Sequence, residues 1–137
     1  MLDFEKVVAY RNNRNRFARK LGIVVESVTA TGARVVKTIE EDDLNPLDRA
    51  HGGVYFTMAD SAAGSAVVAK GRASVTLNAT YNFLRSAKLG DVVTAEAVEV
   101  KSGKTICVYD VRVTDQNGTL LGTGTFTFFQ LEEEIQL

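Results

Sequence analysis

The run from Gly52 to Ala69 constrains this chain more than any other stretch. It reads as a helical block with one charged side chain, Asp60; the other polar side chains are Thr57, Ser61, Ser65 and the phenol of Tyr55. A helix this apolar needs partners around it rather than a single buried face. A carboxylate in such a block is costly if it stays charged and dry, so Asp60 has either a structural or a catalytic reason to be there.

Upstream, Asn45-Pro46-Leu47-Asp48-Arg49-Ala50-His51-Gly52-Gly53 leads into the block. Pro46, the only proline, blocks regular structure there. Downstream the pattern changes to period two. Val75, Leu77, Ala79, Tyr81 and Phe83 alternate with Ser74, Thr76, Asn78, Thr80 and Asn82, which predicts a half-buried antiparallel strand over Ser74 to Leu84. Further strands are expected over Val92 to Val100, with a slip near Val98 that suggests a bulge, over Thr105 to Thr114, and over Thr119 to Phe129. Ser102-Gly103 and Asn117-Gly118 supply turns. The tail around Glu132-Glu133-Glu134 is expected to be polar and frayed.

Before the block, residues 3 to 21 predict a helix, capped by Asp3 and stopped at Gly22. Phe4, Val7, Val8, Phe17, Ala18 and Leu21 make its apolar stripe, with Arg11 and Arg14 in the middle. Arg11, Arg14, Arg16, Arg19 and Lys20 read as a solvated basic face, with contact to nucleic acid or phosphate as the alternative. Two short strands follow, Ile23 to Thr29 and Ala33 to Glu40, and Glu40 to Asp43 reads as a solvated acidic loop.

One apolar helix and a long meander must share a core, and the economical solution curls the sheet around the helix. The expectation is a single α+β domain over 1–137, with an extra N-terminal helix over 1–21 and a polar tail over 130–137. A formal net charge of -1 gives no global pull toward nucleic acid or membrane. Cys107 is the only cysteine and reads as a core or edge residue, with no internal disulfide. With no apolar leader and no spanning stretch, the cytoplasm is the expected location.

The spacing of Asn45, His51-Gly52-Gly53 and Asp60, followed by Ser74-Val75-Thr76-Leu77-Asn78-Ala79-Thr80-Tyr81, Ala87-Lys88-Leu89-Gly90-Asp91 and Gly103-Lys104, resembles the hot-dog-fold acyl-CoA thioesterases of the phenylacetate-pathway (PaaI-like) type. The resemblance covers about residues 20 to 130. It implies a sheet wrapped round a central helix, homodimers that often pair into tetramers, a catalytic carboxylate at Asp60 and a Gly53 N–H that polarises the thioester carbonyl. It also implies that Asn45 and His51 hold substrate or water, and that Ser74 lies near the nucleophile. The loop from Pro46 to Ala50 departs from some members of the family.

The chemistry fits those residue types. A helix N-terminus offers unpaired N–H groups and a positive dipole end to a developing oxyanion, and paired glycines let a carbonyl approach them. Asp60 can serve as base or as nucleophile. Gly53 and Asp60 lie seven residues apart, about 10 Å along a helix, so one carbonyl cannot touch both in one chain. Two antiparallel helices from two copies would bring them together, giving two sites across a two-fold interface and an inactive monomer.

His51 remains open between helix capping, loop packing and contact with substrate or water, and Asn45 between turn and site. A metal site is not expected, because His51 is the only histidine. Ser61 and Ser74 are candidates for lining the pocket. Arg85, Lys88, Lys101 and Lys104 follow strand ends and are candidates for the phosphates of coenzyme A, which enters only as part of the substrate. Tyr55, Phe56, Tyr81 and Phe83 are open between acyl pocket and core. The competing readings are an acyl-CoA-binding module without turnover, and a dehydratase or hydratase with His51 and Asp60 as acid–base partners.

Overall fold

A computed structural model describes residues 1–137. The chain runs α1 (Phe4–Arg14), α2 (Arg16–Lys20), β1 (Val24–Val28), β2 (Gly32–Thr38), a 3-10 turn (Glu41–Asp43), α3 (Gly52–Val68), β3 (Arg72–Phe83), β4 (Val92–Ser102), β5 (Ile106–Thr114) and β6 (Leu120–Glu134). The strands form one antiparallel sheet in the order β1-β2-β4-β5-β6-β3.

α3 packs against all six strands. Its Met58, Ala59, Ala62, Ala63 and Val67 are fully buried. The small side chains explain how one sheet closes around one helix: each alanine lets a strand approach where a leucine would hold it off. Cys107, Tyr109, Val111 and Val113 of β5 alternate inward, as their period-two spacing predicts.

The N-terminal segment is two helices rather than one. Asn15 leaves helical geometry (φ -79°, ψ 81°), and its side chain accepts the Ala18 N–H as the N-cap of α2. Gly22 stops α2 with φ +71°, the left-handed conformation expected of a glycine after a helix. Asp3 caps α1 by accepting the Lys6 N–H.

β3 carries the main departure from simple alternation. Thr76 pairs with Phe128 and Asn78 with Thr127, so Leu77 is an extra residue, a bulge. Cross-strand partners share a face, and Phe126 and Phe128 point into the core. Ser74 and Thr76 therefore face α3 before the bulge, and Ala79, Tyr81 and Phe83 face it after. The sequence had placed these two groups on opposite faces. The expected slip in β4 is real and falls at Val100, between Glu99 and Lys101.

Two further expectations give way. The acidic run is not simply solvated. Asp43 is buried, and its carboxylate takes the Lys37 ammonium at 2.9 Å and the Glu40 N–H at 2.8 Å. The tail is strand through Glu134, which pairs with Arg72, and the Ile135 N–H reaches the Gly71 carbonyl.

Candidate active site

The N-terminus of α3 is held by its approach. The His51 N–H donates to the Asp43 carbonyl at 2.8 Å, and the Ala50 N–H to the Ala87 carbonyl at 2.9 Å. Lys37 and Asp43 thus brace the residue that precedes the helix. His51 is the N-cap: its Nδ1 accepts the Gly53 N–H at 2.8 Å. That bond requires an unprotonated Nδ1, so the neutral ring carries its proton on Nε2. Gly53, expected to polarise a carbonyl, therefore has its N–H engaged. The N–H of Gly52 makes no hydrogen bond within the chain and is a free donor at this end. The Phe83 ring lies so close over Gly52 that an added Cβ would meet its edge at 2.9 Å.

Asn45 acts as a turn residue. Its Oδ1 accepts the N–H groups of Leu47 (2.9 Å) and Arg49 (3.1 Å), which shapes the Pro46–Ala50 loop. Together with Gly52, Tyr55, Phe83 and Arg85 it lines a hollow of about 280 Å³ at the helix N-terminus. Arg85 is tied there by a bond from Nη1 to the Leu120 carbonyl.

Asp60 belongs to a different groove, of about 430 Å³. It is half-buried, and its Oδ1 accepts the Thr76 hydroxyl at 2.7 Å. Ser74 lines the same groove. So do Arg11, Arg14 and Arg16, which makes the basic cluster of the N-terminal segment a wall of the groove rather than only a solvated face. Arg11 reaches over α3. Its Nε donates to Ser65 Oγ at 3.0 Å, and its guanidinium lies 3.2 Å from where a Cβ on Gly64 would stand. Burial pushes the Arg11 guanidinium below its ordinary value, and the Asp60 carboxylate is the leading charge that pulls it back up.

The remaining candidates separate. Ser61 is buried, its hydroxyl has no hydrogen-bond partner, and it does not line the groove. Lys88 is exposed in the turn closed by Asp91, whose carboxylate accepts the Lys88 N–H. Lys104 lies in another surface hollow with Arg72 and Gln130. The aromatic candidates do gather: Tyr81 and Phe83 meet edge to face at 4.7 Å, and Phe56 packs on Tyr81 and Phe126.

Sequence reasoning did not single out the Thr76 bond to Asp60, the reach of Arg11 over α3, or the His51 bond that engages the Gly53 N–H. Signals existed for two of them. Thr76 is two residues from Ser74 on one face, and Arg11 interrupts an apolar stripe where a solvated residue does not belong.

The family model described as thioesterase superfamily matches residues 48–121, which hold α3 and the strands β3, β4 and β5. The chain belongs to the thioesterase superfamily. Its resemblance to one member extends further. It is 36% identical over 99 residues to the acyl-coenzyme A thioesterase PaaI of Escherichia coli, covering 72% of this chain and 71% of that one. The solved structure of E. coli PaaI superposes with a TM-score of 0.92 at 28% identity and 96% coverage of both chains, so the fold is the hot-dog fold. The 1,4-dihydroxy-2-naphthoyl-CoA thioesterase 2 of Arabidopsis thaliana is 30% identical, over 80% of this chain and 75% of its own. A hypothetical thioesterase of Streptococcus pneumoniae, solved with coenzyme A, matches with a TM-score of 0.78 at 34% identity, over 82% and 88% of the two chains. No helix of this superfamily member is long and apolar enough to cross a membrane.

Proposed function

We propose that the chain hydrolyses acyl-CoA thioesters to a free acid and coenzyme A, at two equivalent sites each built from two copies. The observation that carries this reading is the separation of the two reactive features. The free Gly52 N–H and the Thr76-bonded Asp60 lie in different grooves of one chain. Eight residues of helix separate them, about 12 Å along the axis, whereas a carbonyl bond is about 1.2 Å long. A second α3 running antiparallel would set its Gly52 beside this Asp60.

β3 supplies a reason for the two copies to meet. It is an edge strand with exposed Val75, Leu77 and Phe83, and an unpaired apolar edge favours addition of another strand. A homodimer, and a dimer of dimers beyond it, is the partner arrangement we propose, in the cytoplasm. CoA-bound and CoA-thioesterase relatives support the substrate class.

In the reaction, Asp60 takes a proton from water, whose oxygen attacks the thioester carbonyl. In the covalent variant the carboxylate oxygen itself attacks, and water then cleaves the anhydride. Oδ1 is held by Thr76, which leaves Oδ2 for this work. Negative charge develops on the carbonyl oxygen, and the partner's helix N-terminus receives it through the N–H of Gly52. One preorganised donor of this kind supplies about 3–4 kcal/mol in a studied hydrolase. The C–S bond then breaks, and the leaving thiolate takes up the proton that water gave to Asp60, so that coenzyme A departs as the free thiol and Asp60 is again a carboxylate. Water and the acyl-CoA are the only reactants needed. Arg85 stands nearest the Gly52 end among the candidates for the phosphates.

The test is thiol release from a panel of acyl-CoAs by Asp60→Asn and Asp60→Ala. Both are expected to lose hydrolysis while keeping the fold; full activity in either removes Asp60 from the chemistry.

A further inference from the structure

We infer that the arginines of α1 and α2 form an anion subsite beside Asp60, and that the preferred substrate carries a carboxylate on a short acyl group, as in the CoA monothioester of a dicarboxylic acid. The inference rests on the thioesterase reading and names its substrate class.

The groove at Asp60 is not an apolar slot. Of its eleven lining residues only three are hydrophobic. Three arginines, Arg11, Arg14 and Arg16, face a single carboxylate, Asp60, and none of them forms a salt bridge within 4 Å. Two positive charges are thus left without a counter-charge. Arg11 is the most telling. It is tied by Nε to Ser65 and, at 3.5 Å, by Nη2 to the Ser61 carbonyl, whereas Nη1 makes no hydrogen bond within the chain. Arg11 is half-buried, and its unbonded Nη1 is held in place by the other two nitrogens, ready for an acceptor.

The break at Asn15 has a consequence for the same site. In a continuous helix, residues two apart do not share a face. Ending α1 at Arg14 and restarting at Arg16 lets both side chains line one groove. Arg14 also stacks on Tyr10 at 5.9 Å, which orders its long side chain.

Position decides which anion this is. Arg11 lies over Ser61, Gly64 and Ser65, within about one turn of Asp60. A long pantetheine arm separates the phosphates of coenzyme A from the thioester. A carboxylate a few bonds beyond the reacting carbonyl falls within reach of Arg11. Near Asp60 such a group would be repelled without the arginines, and the arginines outnumber Asp60.

The experiment compares kcat/KM for succinyl-CoA and glutaryl-CoA against butyryl-CoA and valeryl-CoA. It uses the wild-type chain, Arg14→Gln/Arg16→Gln, and Arg11→Lys. Arg11→Lys keeps the charge and tests whether the fork geometry matters. The wild type is expected to favour the carboxyacyl substrates by about tenfold or more, and the double variant to bring that ratio toward one. A wild-type ratio near one overturns the inference while leaving the thioesterase reading in place. An equal loss on both substrate classes in the double variant also overturns it, and points to the phosphates of coenzyme A as the bound anion. If the wild type releases thiol from none of the acyl-CoAs, the proposed function fails and this inference fails with it.

Discussion

The Thr76 hydroxyl donates to Asp60 Oδ1 at 2.7 Å, across sixteen residues of chain and from strand to helix. The bond exists because Leu77 is a bulge. Without that extra residue, Thr76 and the inward-facing Tyr81 could not both face α3. The carboxylate that the apolar helix cannot satisfy is satisfied by the sheet.

Thr76→Val keeps the shape and removes the donor. A hydrogen bond to a charged group is worth about 1.5–3 kcal/mol, so hydrolysis should fall ~10–100-fold. Thr76→Ser should retain most of the activity. Steady-state thiol release on both variants checks this; equal rates for Val and Ser would show that the bond is idle.

His51 caps α3 through its Nδ1, which accepts the Gly53 N–H. His51→Ala removes the acceptor of the Gly53 N–H and should cost about 1 kcal/mol, a few degrees in Tm. His51→Asn, a good N-cap, should recover most of that loss in a thermal melt.

Lys37 and Asp43 are a buried ion pair. Lys37 also donates to the Leu21 carbonyl, which ties β2 to the end of α2. Lys37→Met leaves Asp43 buried and unpaired, at a cost of about 3–5 kcal/mol and a Tm drop on the order of 10 °C. Adding Asp43→Asn should restore part of the loss, because the lone charge is then gone. No recovery in calorimetry would mean that Lys37 matters for packing instead.

Asp91 is held below the usual carboxylate range, first by the Lys88 N–H and then by the side chain of Gln116. A lowered folded value contributes stability that is complete above the unfolded value, about 3.9, and is lost as pH falls through the folded one. Asp91→Asn should therefore lower Tm at pH 7 and flatten the decline below about pH 4. A Tm–pH curve with an unchanged acid limb would contradict this.

The fold was largely legible because its main signals are local. The apolar helix, the period-two strands and the Asn117-Gly118 turn each follow from residues near in sequence. What escaped depends on partners distant in the chain. Whether Thr76 faces the helix is decided by pairing with β6, and whether Asp43 is solvated is decided by Lys37 on β2. Arg11 shows the intermediate case: its place in the apolar stripe marked it, but only the approach of α1 to Gly64 shows where the guanidinium goes. The donor at the helix N-terminus turned on one bond, His51 to Gly53, that spacing alone does not distinguish from a free N–H.

The central claim is that Gly52 of one copy and Asp60 of another serve one site, and complementation tests it directly. Gly52→Pro removes the N–H at the first helical position, where proline is tolerated; the extended His51 suits a following proline, and the Phe83 ring tip can swing aside. Gly52→Pro and Asp60→Asn should each be nearly inactive. Unfolded and refolded together in equal amounts, they should regain roughly a quarter of wild-type thiol release, since half the dimers are mixed and each mixed dimer holds one intact site. Activity that stays at the level of the separate variants, with mixed dimers shown to form, would contradict the shared site.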